Sequence, residues 1–148
     1  MPETDDILSD AERHALATVT VRGVAPLKVL IVEDDEDSSQ LMADIFTLNE
    51  IPCVTARNTA IAFEYLNRRE SGIGLLITDL RMQPIGGIEF IEQIRQSPNA
   101  ALPIIIVSGD AEVQDAITAM HLSVVDFLLK PIDVEKLLKL VRHELGIG

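Results

Sequence analysis

Leu27-Lys28-Val29-Leu30-Ile31-Val32-Glu33-Asp34-Asp35 is the stretch that decides the fold. An apolar run of strand length stops abruptly on the adjacent acids Asp34 and Asp35. The same arrangement recurs down the chain. Leu75-Leu76-Ile77-Thr78 ends on Asp79, Ile104-Ile105-Ile106-Val107 on Ser108, and the run over 124–129 on Lys130-Pro131. In an open parallel α/β sheet the carboxyl ends of the strands converge on one edge, where ligands bind. Read as strands, these segments gather three carboxylates, a hydroxyl and an ammonium in one place.

The rest of the chain fits that reading. Strands are expected over 28–32, 53–55, 75–78, 104–107 and 124–129, and stretches of helical period over 38–49, 59–70, 87–96, 112–121 and 134–145. Near-continuous Leu, Ile and Val suits strands covered on both faces. In the first helix Leu41, Ile45 and Leu48 fall on one face; in the last, Leu137, Leu138, Val141 and Leu145 do. Asn58 and Asp133 are good N-caps, and Ser97-Pro98-Asn99 is a helix-ending turn. Strict alternation implies right-handed βαβ units, hence an α/β fold with a doubly wound parallel sheet and helices on both faces.

Composition bounds the function. A chain of 148 residues fits one domain with a core. Its 24 acidic against 12 basic residues, with no Lys/Arg cluster, argue against direct nucleic-acid binding. The apolar runs fall far short of the roughly 18 residues of a membrane span. The acidic start Met1-Pro2-Glu3-Thr4-Asp5-Asp6 is unlike a signal peptide. Cys53, the single cysteine, lies among apolar residues and reads as a small hydrophobe rather than a nucleophile. A reducing, cytoplasmic setting is expected, with no membrane association. Residues 1–26 stand apart from a domain spanning 27–148. Ser9 to Glu12 has the pattern of a capping box ahead of an expected short helix over 11–19, which alone would be marginal. This extension is expected to be disordered or loosely docked, and no effector domain is expected after the last helix.

The chemistry follows from the donor set. Magnesium prefers oxygen ligands, and Asp34, Asp35 and Asp79 can supply three carboxylates whose mutual repulsion a cation relieves. A carboxylate held there can attack phosphorus to give an aspartyl phosphate. Lys130 offers a compact ammonium and Ser108 a hydroxyl to the phosphoryl oxygens. The Lys130-Pro131 bond can be cis where a tight turn aims the lysine inward. Each residue has a plainer reading: acid pairs sit in solvated loops, a strand-terminal Asp or Ser caps the next helix, and Lys-Pro is common. The joint order of acid pair, Asp, Ser and Lys-Pro after the first, third, fourth and fifth strands is what carries specificity.

At this point the sequence resembles the receiver domains of bacterial two-component response regulators, chemotaxis-regulator-like, over 27–145. The matching stretches are Val29 to Asp35, Leu76-Ile77-Thr78-Asp79-Leu80-Arg81-Met82, Gly87, Ile106-Val107-Ser108-Gly109 and Asp126-Phe127-Leu128-Leu129-Lys130-Pro131. The resemblance implies a five-stranded sheet of flavodoxin-like order 2-1-3-4-5. It implies that Asp79 accepts phosphate from a histidine kinase or histidine phosphotransfer protein. It further implies that Asp34, Asp35, Asp79 and the backbone carbonyl of Arg81 hold Mg2+ (or Mn2+). Lys130 would bind the phosphoryl oxygens, and Ser108 and Phe127 would switch. The altered face, made by the fourth helix, fifth strand and fifth helix, would meet a downstream protein target or a second copy of the chain. Phe127 is by periodicity alone a half-buried core aromatic. The sequence departs from the family at Gln83 before Pro84, at Ser123-Val124 where Gly-Ala is common, and in its N-terminal extension.

The resulting expectation is a phosphorylation-dependent signalling receiver, not an enzyme beyond catalysing its own phosphorylation and dephosphorylation. A phosphate-independent interaction domain is an alternative. An aspartyl-phosphate hydrolase is a weaker one, since Arg81 stands two residues after Asp79 where that class needs an acid. No glycine-rich nucleotide loop follows the first strand.

Overall fold

The computed structural model describes residues 27–68 and 70–147, so the N-terminal extension with its expected short helix lies outside the described residues. Elements alternate along the chain as β1 (Lys28–Val32), α1 (Glu36–Leu48), β2 (Cys53–Ala56), α2 (Thr59–Asn67), β3 (Ile73–Thr78), α3 (Gly87–Arg95), β4 (Ile104–Ser108), α4 (Val113–His121), β5 (Asp126–Leu129) and α5 (Val134–Leu145). All strand pairs are parallel, in the order β2-β1-β3-β4-β5. Val32 pairs with both Ala56 and Thr78, and Ser108 with Leu129. That register brings the strand ends level, so the residues that follow them share one edge.

Period-two alternation splits the strand side chains between two core layers. Leu30, Val32, Leu76, Ile104 and Ile106 pack with Phe90, Ile91 and Ile94 of α3 and with residues of α2 and α4. Val29, Ile31, Leu75, Ile77, Ile105 and Val107 pack with Met42 and Phe46 of α1 and Leu137, Val141 and Leu145 of α5. A sheet covered on both faces has no polar side available, which is why its central strands are almost pure Leu, Ile and Val. Phe63 meets Phe90 edge to face at 5.1 Å, a favoured aromatic geometry. Among the described residues no helix is long and apolar enough to cross a membrane.

Several boundaries move for identifiable reasons. Helix α1 starts at Glu36 rather than 38 because the Asp35 carboxylate accepts from the Ser38 amide and caps it. Helix α4 starts at Val113 because Glu112 is its cap, paired reciprocally with Asp115. Strand β3 begins earlier, at Ile73, and β5 later, at Asp126. The expected buried face of α1 is also corrected: Leu41 and Leu48 are 60% and 83% exposed, while Met42 and Phe46 are buried. Two apolar stripes compete on this helix, and the bulkier Met-Phe pair faces the sheet.

The end of α4 resolves the departure at Ser123. This residue takes the left-handed conformation (φ 59°) that a glycine would hold freely. Its amide bonds the Met120 carbonyl and that of Val124 the Ala119 carbonyl, a Schellman arrangement. The Arg95 guanidinium stabilises the turn from outside, donating to the Leu122, Ala100, Leu102 and Ser123 carbonyls at 2.8, 2.9, 2.7 and 3.3 Å. The Gln83-Pro84 and Lys130-Pro131 bonds are both cis.

Candidate functional site

Residues just past the ends of β1, β3, β4 and β5 meet at the carboxyl edge of the sheet. At its centre lies Lys130, whose backbone amide is bonded to the Ser108 carbonyl beside β4. Its ammonium reaches back over the edge to Glu33 Oε1 at 2.8 Å and Asp79 Oδ2 at 3.3 Å. One cation thus bridges the ends of β1, β3 and β5. Burial pulls the ammonium down, but its hydrogen bond to Glu33 and the charges of Asp79 and Glu33 outweigh it and hold Lys130 above its ordinary value.

Asp79 is nearly enclosed, with 10% of its side chain exposed. Its Oδ1 accepts from the Leu80 amide at 2.6 Å and the Arg81 amide at 3.2 Å, so the turn after β3 fixes the carboxylate. Gly87 opens α3 directly beneath that turn, its amide bonded to the Leu80 carbonyl at 2.9 Å. A Cβ there would lie 2.8 Å from the Leu80 Cα and closer still to the Asp79 carbonyl oxygen. Only glycine allows the approach.

The expected acid pair separates into different tasks. Asp34 is exposed and borders an open cleft of about 510 Å³ shared with Glu33, Gln40 and Arg57. Asp35 is turned away onto α1, and its hydrogen bond from the Ser38 amide holds its carboxyl below the ordinary value. The acid that joins Asp79 and Lys130 is Glu33, which is not among the site residues expected from the sequence. Glu33 is 4% exposed and also accepts from the Asp35 amide at 3.1 Å. Burial raises its carboxyl; hydrogen bonds from Lys130 and Asp35 pull it down, the charge of Asp79 pushes it up, and the net direction is upward. A signal for it was present. An ionisable side chain closing four apolar residues is carried into the core and needs a partner there.

Ser108 is fully buried, and its hydroxyl is engaged with its own loop, donating to the Asp110 carbonyl at 3.2 Å and accepting from the Asp110 amide at 3.3 Å. Phe127 is half-buried and packs against the layer that contains α3 and α4. Arg81, whose amide holds Asp79, sends its guanidinium outward to α4, 3.0 Å from Asp115 Oδ2 and 3.6 Å from Asp110 Oδ2.

Among the described residues no three His, Cys, Asp or Glu side chains lie close enough together to hold a metal ion. Two of the acids, Glu33 and Asp79, share the Lys130 ammonium instead, and Asp35 caps a helix. The acceptor atoms around Asp79 are nevertheless all oxygen, the kind a hard divalent cation prefers, and the charge of Asp79 adds to the burial that raises Glu33. The residues fit magnesium or manganese by chemistry.

Comparison with known proteins gives one answer. The chain matches the response regulator receiver domain family over residues 29–142. It is 46% identical to a response regulator receiver protein of Pseudomonas putida, with a TM-score of 0.77, over 80% of this chain and 98% of that one. It is 32% identical over 112 residues to the transcriptional regulatory protein GlrR of Escherichia coli, covering 76% of this chain and 24% of GlrR. It is 30% identical to the transcriptional regulatory protein FixJ of Azorhizobium caulinodans, covering 81% of this chain and 56% of FixJ. The chain therefore spans a quarter to just over half of these curated relatives.

Proposed function

We propose a phosphoacceptor role for Asp79, starting from the premise that the chain belongs to the response regulator receiver family, whose function is phosphorylation-dependent signalling. The observation that carries this reading is the Lys130 ammonium, 3.3 Å from Asp79 Oδ2 at the end of the central strand β3. A carboxylate oxygen of Asp79 forms the new bond to phosphorus as the phosphorus–nitrogen bond to a donor histidine breaks. The imidazole keeps that electron pair and takes a proton. Lys130 neutralises charge on the transferred group. Asp34, Asp79 and the Arg81 carbonyl, with Glu33 beside them in place of Asp35, would hold Mg2+ or Mn2+, which supplies further charge neutralisation.

The donor is a histidine kinase or histidine phosphotransfer protein. Ser108 must give up its bonds to Asp110 to reach a phosphoryl oxygen, which leaves room for Phe127 to follow it inward. The response is then read on α4, β5 and α5, where Val113, Met120 and Leu129 are 78%, 76% and 62% exposed. A downstream protein or a second copy of the chain covers that face. The domain is a cytoplasmic signalling module that catalyses only its own modification.

Intact mass after incubation with magnesium and acetyl phosphate tests the assignment. Wild type gains one phosphoryl group and Asp79→Asn gains none. Equal labelling of the two would sink it.

A further inference from the structure

Helix α4 is tethered at both ends by arginines, and the two tethers differ in kind. At its C-terminal end Arg95 donates only to backbone carbonyls, which stay neutral whatever happens at Asp79. At its N-terminal end Arg81 donates to a carboxylate, Asp115 in the first turn, at 3.0 Å, with Asp110 of the preceding loop at 3.6 Å. Asp115 Oδ2 also accepts from the Glu112 amide at 2.9 Å, so one oxygen carries both the helix cap and the ion pair. Arg81 belongs to the turn that holds the acceptor, its own amide being 3.2 Å from Asp79 Oδ1.

From this geometry we infer that Arg81 is a latch that pins the first turn of α4 at rest and releases it when Asp79 is phosphorylated. The release rests on the reading of Asp79 given above. Phosphorylation exchanges a single charge for nearly two and adds strong acceptor oxygens within reach of the turn that bears Arg81. The guanidinium then has a richer partner than Asp115. The latch must be weak to be displaced, and it is: Arg81 is 48% exposed and Asp115 19%. Such pairs shift an equilibrium by a few-fold only. Because Arg95 keeps its carbonyls, α4 opens at its N-terminal end and pivots about its C-terminal one. Arg81 is thus a positioning residue that connects the acceptor turn to the signalling helix.

Amide hydrogen exchange on the full unphosphorylated chain tests the resting half. Asp115→Asn retains an oxygen for the Glu112 amide but loses the charge. It and Arg81→Ala should each speed exchange over residues 113–117 by roughly two- to five-fold, with the β1 and β3 amides unchanged. The Asp115→Asn effect should vanish in an Arg81→Ala background. Unchanged rates in both single variants, or additive effects in the double variant, would overturn the latch. With magnesium and beryllofluoride, wild type should reach the faster rates and Arg81→Ala should gain no more. An adduct that forms on wild type without faster exchange overturns the release step alone. If intact native mass detects no adduct, the reading of Asp79 fails and the release step loses its trigger, whatever the resting rates show.

Discussion

The interior of the sheet and its carboxyl edge obey different rules. Inside, Leu30, Leu75, Leu76, Ile104 and Ile105 are wholly buried and apolar, and another apolar side chain of similar volume would serve nearly as well. At the edge, a buried carboxylate, a lysine and an enclosed aspartate occupy a few ångströms, and each is there for its charge. The interior therefore holds the fold by the sum of many equivalent contacts, while the edge depends on single, unequal ones. Stability and chemistry are separate in space, and substitutions can pull them apart.

The largest break is expected inside. Phe90→Ala removes a fully buried ring packed on Phe63 and should cost about 3–5 kcal/mol in urea unfolding. The fraction that stays folded should still label with acetyl phosphate; lost labelling in folded protein would mean the regions are not separate. At the edge, Lys130→Met leaves Glu33 buried without its cation and should cost about 1–3 kcal/mol near neutral pH. Without Lys130 the Glu33 carboxyl rises further. A carboxyl raised in the fold destabilises only where it is ionised, so the cost should fade as pH falls through the folded value toward the ordinary 4.5. Urea midpoints at neutral and acidic pH check this, and a cost independent of pH would contradict it. The smallest change is expected from Asp35→Ala, which loses one cap bond at the rim. Its urea midpoint should fall less than that of Lys130→Met and its labelling should persist, whereas Asp34→Ala should label poorly. Equal loss of labelling in the two would restore Asp35 to the site.

The same division explains what could be read in the sequence. The alternation of elements and the converging edge were legible because they rest on long apolar runs, a signal summed over many residues; the strand order was legible only through the family resemblance. The exposed Leu41 and Leu48 were misread because α1 carries two apolar stripes and only packing chooses between them. Glu33 and Asp35 turn on single hydrogen bonds. Ser38 three residues after Asp35 is the spacing of an N-cap, yet Asp34-Asp35 reads more loudly as a pair. Nothing local to Glu33 announces a lysine 97 residues away. Ser123 illustrates the reverse case: the missing glycine was visible, but the Arg95 side chain that steadies the turn was not.

Gly87 leaves its own mark on how this chain can vary. Since any Cβ there would press on the backbone of the acceptor turn, the position offers no graded series of substitutions. A library randomised at 87 should therefore not retain a gently weakened receiver. The neighbouring helix surface can drift freely, while this one residue, without a side chain of its own, is held constant by the chemistry above it.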